Sequence, residues 1–391
     1  MTEAGRLLVV GRPFDLSDAQ FDGFVIRHRA AIERLATGHE LNFLLLRPTT
    51  DRTEVSTQYA SQVVADVALP PAAGTRAQRA RQVTRDVIQR SERPWEVALA
   101  RAAQAVRPDA VVTLGPWLNY EYRALFARFA TLHLYEEDLS RMIDLAPQSR
   151  RAQLFRRVEM LARRSRAAQP KVVVVIGEAE VKPARGHFPG SDVQFIPYTL
   201  PSQEWPLADS TSSGDNLLVV GALTNARHAE GLGDVLYELS ERHRPDIKVQ
   251  LVSGGGLHDD LEPHRRHPWV EHLSSVEDVR PLYRHARLAL VPAKRATGIK
   301  TTILQAWATG CPVIAFTGSA ATVGSRFSGA LRSANDPHGV VDHIIALWDD
   351  QVGRDDLARE GLRIMSHHFD DQMHMARLTS LVDGLADSTR S

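Results

Sequence analysis

The chain has 391 residues, of which 43% are hydrophobic and 24% are charged. One hydrophobic core rarely organises so long a chain, and the composition is that of an ordinary water-soluble protein, which excludes disordered, collagen-like and membrane-spanning chains. The 47 basic residues balance the 47 acidic ones, so no overall field draws the chain to nucleic acid. We therefore expect two domains of nearly equal size and no nucleic-acid partner.

Residue usage also bears on the cellular compartment. The N-terminal apolar run LLVV is too short for the core of a signal peptide. The one cysteine, Cys311, has no partner for an intramolecular disulfide and lies in an apolar run, which is typical of a buried, unreactive thiol. Both observations favour a cytoplasmic protein.

Short apolar runs alternate with helical patterns along the first half of the chain. They read RLLVVG near residue 6, ELNFLLLRP near 40, DAVVTLG near 109, ATLHLYEED near 130, KVVVVIG at 171 and DVQFIPY at 192. Apolar runs of this length between helices are typical of buried parallel strands in βαβ units. The pattern predicts an α/β, doubly wound, Rossmann-like domain over residues 1–200.

The stretch TLPSQEWPLADSTSSGDN has neither helical nor strand periodicity, so residues 201–215 are predicted to be a linker. The alternation restarts with NLLVVGAL, IKVQLVSGGG, WVEHLSS, ARLALVPA and CPVIAFTG, which predicts a second doubly wound domain over residues 216–365. Residues 366–391 carry no strand signal, and we expect them to form helices that pack back on the cores.

The segment from Arg150 to Lys171 is locally basic and carries apolar residues at helical spacing. A basic amphipathic helix binds anionic membrane surfaces, whereas an ordinary solvated helix face has the same composition. Both interpretations stay open, so this segment is a candidate for peripheral membrane contact.

Ligands of doubly wound sheets bind outside the carboxyl ends of the strands, so the loops there hold the candidate site residues. After the first strand, Asp22 and Gly23 open a helix whose free N–H groups can meet an anion or a sugar hydroxyl, although an Asp-Gly pair also forms plain turns. After ATLHLY, Glu137 and Asp138 are placed to orient a sugar or accept a proton, or simply to begin a helix.

In the second domain, the run from Gly254 to Gly256 follows the strand KVQLVS, where it lets a ligand approach the backbone or lets the chain turn. Gly298 precedes the helical pattern ILQAWAT. Beside it, Lys300 and the hydroxyls of Thr301 and Thr302 can bind a diphosphate through amide groups, the helix dipole and a cation. A plain αβ unit has the same spacing.

Several common catalytic patterns are missing from the sequence, namely HExxH, paired cysteine ligands, the GxSxG elbow and the Walker-type GxxxxGK. Their absence removes the usual metalloprotease, hydrolase and P-loop interpretations. We expect no bound metal and no cofactor.

The segment Gly298 to Ala315 reads GIKTTILQAWATGCPVIA. It resembles glycosyltransferase family 4 of the GT-B fold, whose donor motif is roughly G-[VI]-[RK]-x-K-[VIL]-L-E-A-M-A-x-G-x-P-V-[IV]-A. The order of VVGALTNARHAEGL, LVSGGG, VEDVRPLYRHARLALVP and DDLAREGLRIMSHHF is also similar to that family, and the resemblance covers nearly the whole chain. It implies two Rossmann-like domains that face an interdomain cleft.

By this resemblance, the chain is a retaining glycosyltransferase that moves a hexose or aminohexose from a nucleoside diphosphate sugar, without a metal. The implied acceptor is a hydroxyl of a glycan, a lipid-linked molecule or a small molecule. Glu137, Asp138 and Lys300 form the candidate catalytic set, and Asp22 and Gly23 lie on the acceptor side. The implied donor-binding residues are Gly221, Arg227, Gly254, Gly255, Val276, Arg295, Gly298, Lys300, Thr301, Thr302 and Gln305.

Three positions depart from the family pattern, and each change removes charge. Thr302 stands where the family branch has a lysine, Gln305 where it has the ribose-binding glutamate, and Ala222 where a basic residue is usual. Gln305 retains hydrogen-bonding groups for a ribose. These departures raise a second hypothesis, a catalytically silent GT-B protein that is the partner or regulator of an active transferase. A third keeps the fold and changes the reaction, as in nucleotide-sugar epimerases.

Overall fold

The computed structural model describes residues 5–11, 31–48, 62–69, 94–114, 123–135, 168–244, 246–295 and 299–390. The described chain divides into two compact units. One contains the residues up to Ile196 together with those from Met375 onward, and the other runs from Pro197 to His374.

The first unit is built on a parallel sheet with seven strands in its described part, in the order β3-β2-β1-β4-β5-β6-β7. The strands are β1 (Gly5–Gly11), β2 (His39–Pro48), β3 (Gln62–Leu69), β4 (Ala110–Leu114), β5 (Thr131–Tyr135), β6 (Val172–Val175) and β7 (Asp192–Phe195). The helices include α1 (Pro94–Val106), α2 (Arg123–Phe126) and α3 (Val181–His187), and α3 follows the short 3₁₀ helix Glu178–Glu180.

Both faces of the first sheet are buried, as its continuous apolar strands predict. Along β1, Leu7 and Val9 point to one face, whereas Leu8 and Val10 point to the other and pack in a cluster with residues of α1. Because successive side chains of a strand point to opposite faces, one apolar run contributes to the hydrophobic clusters on both faces of the sheet.

The second unit contains a parallel sheet with six strands in its described part, in the order β10-β9-β8-β11-β12-β13. The strands are β8 (Asn216–Val220), β9 (Lys248–Ser253), β10 (Val270–Ser274), β11 (Ala286–Val291), β12 (Val313–Phe316) and β13 (Leu331–Ala334). The helices are α4 (Ala226–Glu241), α5 (Arg280–Arg284), α6 (Thr301–Ala308), α7 (Thr317–Ala320), α8 (Pro337–Asp349) and α9 (Gln351–His368), and α10 (Asp371–Arg390) begins in this unit. Two 3₁₀ helices span Asp259–Arg266 and Ser325–Ala330.

Within the part of the chain that the structure describes, the chain passes from one unit to the other near Ile196 and again within α10. Asp370 caps α10 by accepting from the Met373 N–H at 2.7 Å. Beyond the crossing, Leu378, Val382 and Leu385 join the same core cluster as Leu7. The last helix thus contributes an apolar stripe at helical spacing to the first unit.

The segment 201–215 contains no helix or strand, and it is part of the second unit. Ala208 N–H donates to the Ala308 carbonyl at 2.9 Å, and Ser212 N–H donates to the Gly310 carbonyl at 2.8 Å. A Cβ on Gly310, whose φ is 69°, would lie 2.4 Å from the Ser210 carbonyl oxygen. This stretch is therefore held by backbone hydrogen bonds and close packing at the end of α6.

The doubly wound α/β class predicted from the sequence is confirmed for both units. Two strands, β3 and β13, were not among the predicted ones, and both lie at sheet edges. β13 reads LRSA, in which Leu331 is buried, Arg332 is exposed, and Ser333 and Ala334 are half-buried. A four-residue edge strand with one large apolar side chain carries no periodic signal.

Candidate functional site

The carboxyl ends of the strands in the second unit meet at one edge of the sheet. Val220 of β8 pairs with Val252 of β9, and Val291 of β11 pairs with Ala315 of β12. The strand order reverses between β8 and β11, which is the topological switch point where doubly wound sheets bind ligands. The loops that leave β8, β9, β10 and β11 at this edge carry most of the donor residues predicted from the sequence.

Helix α6 begins beside the switch point. Lys300 is its N-cap, with φ −81° and ψ 102°, and its carbonyl accepts from the Ile303 N–H at 3.0 Å. The N–H groups of Thr301 and Thr302 belong to the first turn and have no intrahelical acceptor. In the described part of the chain, their hydroxyls also make no hydrogen bond. A polar surface of two N–H and two O–H groups is therefore available at the positive end of a helix dipole.

The opposite end of α6 is anchored in the core. Ile303, Leu304 and Trp307 are fully buried. The Trp307 indole N–H donates to the Ala330 carbonyl at 3.1 Å, and its ring lies 6.5 Å from that of Phe369. The helix N-terminus is thus presented by a rigid element.

The loop between β11 and α6 is tied at both ends to α7 and the residues after it. The Ser319 hydroxyl donates to the Ala293 carbonyl at 2.6 Å, and the Thr322 hydroxyl donates to the Ser319 carbonyl at 2.7 Å. The Lys300 N–H donates to the Thr322 Oγ1 at 3.1 Å. This chain of hydrogen bonds fixes where the loop starts and where the helix begins.

The basic residues of this loop differ in their surroundings. The ammonium group of Lys294 contacts Glu230 at 3.3 Å and also pairs with Asp234 on α4, and the hydrogen bond to Asp234 raises the pKa of Lys294. Arg295 is exposed and has no ion pair within the described residues. Ala222 is also exposed. The loop after β8 therefore presents a methyl group at the position where the family pattern has a basic residue.

Gln305 occupies the position that the resemblance assigns to the ribose. It is only 1% exposed, and its side-chain oxygen lies 3.5 Å from the hydroxyl of Tyr283 on α5. Burial raises the pKa of Tyr283 well above its usual value, so the phenol is neutral and donates. The Tyr283 hydroxyl also lies 3.5 Å from the Thr302 carbonyl, which links the two positions that depart from the family pattern.

The glycine-rich loop after β9 is shaped by the buried Ser253. Its hydroxyl donates to the Gly255 carbonyl at 2.6 Å, and Nε2 of His272 lies 3.0 Å from the Ser253 hydroxyl oxygen. Burial lowers the pKa of His272, which favours the neutral imidazole. Gly254 belongs to this loop, and Val276 follows β10 in a half-buried position. The conformation of the loop is thus stabilised by hydrogen bonds from the Ser253 side chain to the backbone.

Helix α4 approaches the start of the β11–α6 loop closely through Gly231. A Cβ on this residue would lie 2.0 Å from the Pro292 carbonyl oxygen. We expect Gly231→Ala to destabilise the protein by about 1–3 kcal/mol, because helix and strand must separate to accommodate the methyl group. Urea unfolding measures this change.

The matched control lies two residues further along the same helix. A Cβ on Gly233 would have no neighbour closer than 3.8 Å. Gly233→Ala is expected to be neutral or to stabilise the protein by up to about 1 kcal/mol, since alanine is the better helix former. Equal effects of the two substitutions would contradict the close approach at Gly231.

Several predicted site residues lie outside the described residues: Asp22, Gly23, Glu137, Asp138 and Gly298. The side chain of Arg227 and the basic segment up to residue 167 lie outside them as well. The site residues predicted from the sequence did not include Thr322, Ser319 or Tyr283. Isolated hydroxyl residues after an apolar strand carry no pattern, so only the folded contacts reveal these three.

Two features are absent from the described part of the chain. No described helix is long and apolar enough to cross a membrane. No group of three or more His, Cys, Asp or Glu side chains that could hold a metal ion occurs among the described residues.

Solved structures define the class of the fold. The chain resembles sucrose-phosphate synthase from Thermosynechococcus elongatus with a TM-score of 0.69 and 16% identity, covering 98% of this chain and 100% of that one. A glycosyltransferase from Rickettsia africae ESF-5 has a TM-score of 0.67 at 11% identity, with coverage of 97% and 98%. Anabaena Alr3699/HepE in complex with UDP has a TM-score of 0.67 at 12% identity, with coverage of 97% and 100%. The chain has a GT-B fold.

The family is indicated by the sequence of the second unit. Residues 214–350 match the family model for glycosyl transferases group 1. A search of curated protein sequences gives no match. The resemblance to group 1 glycosyl transferases is thus confirmed over residues 214–350, which lie in the second unit.

Proposed function

We propose that this protein is a nucleotide-sugar-dependent glycosyltransferase that moves a hexose or aminohexose to an acceptor hydroxyl with retention of configuration. The observation that carries the proposal is the N-terminus of α6 at the switch point, in a segment that matches group 1 glycosyl transferases. There the N–H groups of Thr301 and Thr302 lie in the first turn of the helix, and Lys300 is its N-cap.

This arrangement suits a leaving nucleoside diphosphate. As the bond to the sugar breaks, negative charge develops on the phosphate oxygen that leaves. The helix dipole, two backbone donors and a nearby ammonium group stabilise that charge without reorganisation, because α6 is already fixed by its buried face. Arg295 is exposed on the adjoining loop and adds a second cation. These groups supply the positive charge that a metal supplies elsewhere.

The remaining donor contacts follow from the neighbouring loops. Gly221 adopts a φ of 156°, and in the glycine-rich loop that begins at Gly254 a Cβ on Gly255 would meet no atom within 4 Å, so a ligand can approach the backbone there. We assign the base to that loop and Val276, and the ribose to Gln305. Gly298 and Arg227 complete the proposed donor site.

The proposed acceptor-side residues and catalytic carboxylates follow strands of the first sheet along the sequence. Asp22 and Gly23 follow β1, and Glu137 and Asp138 follow β5, which are both strands of that sheet. By the rule for doubly wound sheets, a carboxylate after a strand's carboxyl end is placed to orient a sugar or take a proton from the acceptor hydroxyl. We propose a glycan, a lipid-linked molecule or a small molecule as the acceptor.

Calorimetry with UDP, GDP, dTDP and their sugars, each with and without EDTA, tests the proposal. UDP is the first choice, because one protein of similar fold was solved with UDP bound. We expect one nucleotide to bind with EDTA present and its sugar to be hydrolysed slowly without an acceptor. Absence of binding by every nucleotide would rule out the proposed activity.

A second function is favoured by a specific observation, the loss of charge at Ala222, Thr302 and Gln305. In that case the protein is a catalytically silent partner or regulator of an active transferase. Nucleotide binding without any hydrolysis or transfer, across the sugars of the nucleotide that binds, would support this alternative. Measurable transfer by the wild-type chain would exclude it.

A further inference from the structure

The Thr322 hydroxyl donates one hydrogen bond and accepts another, and these two roles cannot be exchanged. A hydroxyl carries one proton, and Thr322 gives it to the Ser319 carbonyl at 2.7 Å. The oxygen therefore presents lone pairs to the Lys300 N–H, which donates to it at 3.1 Å. A valine of the same shape at this position would leave the Lys300 N–H without its acceptor.

This bond decides which backbone groups of α6 are available to a ligand. The Lys300 N–H is already satisfied, so the first available donors are the N–H groups of Thr301 and Thr302. Their direction follows from the conformation of Lys300, the residue at which the chain turns from an extended into a helical conformation. Thr322 holds that residue from the neighbouring element.

The same element holds the other end of the loop. Ser319 donates to the Ala293 carbonyl at 2.6 Å, and Gly318 lies so close that a Cβ on it would be 2.1 Å from the Lys294 carbonyl oxygen. The loop that carries Arg295 is therefore fixed at both ends by one short segment, from Gly318 to Thr322. Because both ends of the loop are fixed, the loop loses less conformational entropy when a ligand binds.

We propose that Thr322 is a positioning residue for the diphosphate of the donor, acting through the backbone of Lys300. This inference rests on the proposed function. Thr322 touches no substrate itself; it orients the first turn of α6 so that the amide groups of Thr301 and Thr302 meet the phosphate oxygens. The specific requirement is a hydroxyl oxygen at position 322, which serine also provides.

A structural role alone would give a different result, and Thr309 at the other end of α6 provides the matched control. Its hydroxyl donates to the Gln305 and Ala306 carbonyls at 2.8 and 3.0 Å, and it is 2% exposed, compared with 9% for Thr322. Thr309→Val therefore removes a comparable buried hydroxyl from the same helix, far from its N-terminus.

The experiment compares Thr322→Val, Thr322→Ser and Thr309→Val in the full chain. Calorimetry measures the Kd of UDP, GDP and dTDP, thermal unfolding measures stability, and amide hydrogen exchange follows peptides that span residues 293–303. We expect Thr322→Val to raise the Kd of the nucleotide that binds by about tenfold and to speed exchange in these peptides. Thr322→Ser should restore both, and Thr309→Val should lower Tm without changing Kd.

The outcomes separate this inference from the proposed function. If the wild-type chain binds no nucleotide, the proposed function fails, and the positioning role fails with it even if exchange changes. If the wild-type chain binds a nucleotide and Thr322→Val binds it equally well or more tightly, the positioning role alone is overturned. An equal rise in Kd for Thr309→Val would also overturn it, because the effect would then follow stability.

Discussion

Replacing Lys300 with methionine is expected to lower kcat/KM for the nucleotide sugar by about 10²–10³-fold, the usual cost of removing one group that stabilises an oxyanion in the transition state. Lys300 is the N-cap of α6, and its ammonium group is the cation nearest in sequence to the available donors of Thr301 and Thr302. Methionine keeps the length and apolar body of the side chain and removes only the charge. The fall should appear mainly in kcat, because charge on the leaving diphosphate is greatest in the transition state.

Lys294 supplies the matched control on the same loop. It pairs with Glu230 and Asp234 on α4, so its charge is already neutralised by protein carboxylates. We expect Lys294→Met to change kcat/KM by no more than about fivefold, the scale of a partly exposed ion pair. Steady-state kinetics with the donor that calorimetry identifies would check both variants. Comparable losses for the two would argue against a specific role of Lys300 in leaving-group departure.

The sequence predicted the parts of this molecule that depend on regular patterns. Buried parallel strands such as β8 and β11 are continuous apolar runs, and their order along the chain fixed the α/β class. Gly310, at the end of α6, could also be predicted, because a helical pattern that ends in glycine before a Pro-led strand is a helix stop signal. These features are local, so a single sequence contains them.

The contacts that organise the site are not local. Thr322 meets Lys300 across 22 residues of sequence. Tyr283 meets Gln305 across another 22. Neither pair follows a helical or strand period, so each depends on how β11, β12 and their helices pack. The short edge strand β13 escaped prediction for the related reason that its stability comes from pairing with β12 rather than from its own residues.

Gln305 and Thr302 together give the second large expected effect. Gln305→Glu would place a carboxyl at a position that is 1% exposed, where the neutral Tyr283 hydroxyl lies within 3.5 Å of the side-chain oxygen. We expect this variant to be less stable than the wild-type chain by about 3 kcal/mol at neutral pH, because an unpaired buried charge is costly. Urea unfolding at several pH values would measure the difference.

The pH dependence of that variant has a definite sign. Burial disfavours the ionised carboxyl, so its pKa in the folded chain lies above the unfolded value of about 4.3. The folded state then binds more protons than the unfolded state above that pH, and stability falls as the pH rises. The deficit relative to the wild-type chain should therefore be small near pH 4–5 and should grow toward pH 8. A deficit that is constant with pH would indicate a packing defect instead of a buried charge.

Thr302 lies three residues before Gln305 on α6, a spacing at which side chains of opposite charge interact. The family pattern has lysine and glutamate at these two positions. With threonine and glutamine there, this chain lacks both members of that charged pair. We expect Thr302→Lys added to Gln305→Glu to recover about 1–3 kcal/mol in a double-mutant cycle. Thr302→Lys alone should leave stability within about 0.5 kcal/mol of wild type. Position 302 is half-buried, so the ammonium group of the introduced lysine can reach water.

Kinetics of the double variant would decide what the neutral pair means for function. A carboxylate accepts hydrogen bonds from ribose hydroxyls more strongly than an amide does, by about 1 kcal/mol, which corresponds to about fivefold in donor affinity. Turnover that rises tenfold or more above the wild-type rate would show that the neutral pair costs activity, as in a decayed enzyme. A wild-type kcat near the common range of about 1–10³ s⁻¹, with no gain in the double variant, would show that Gln305 holds the ribose adequately without charge.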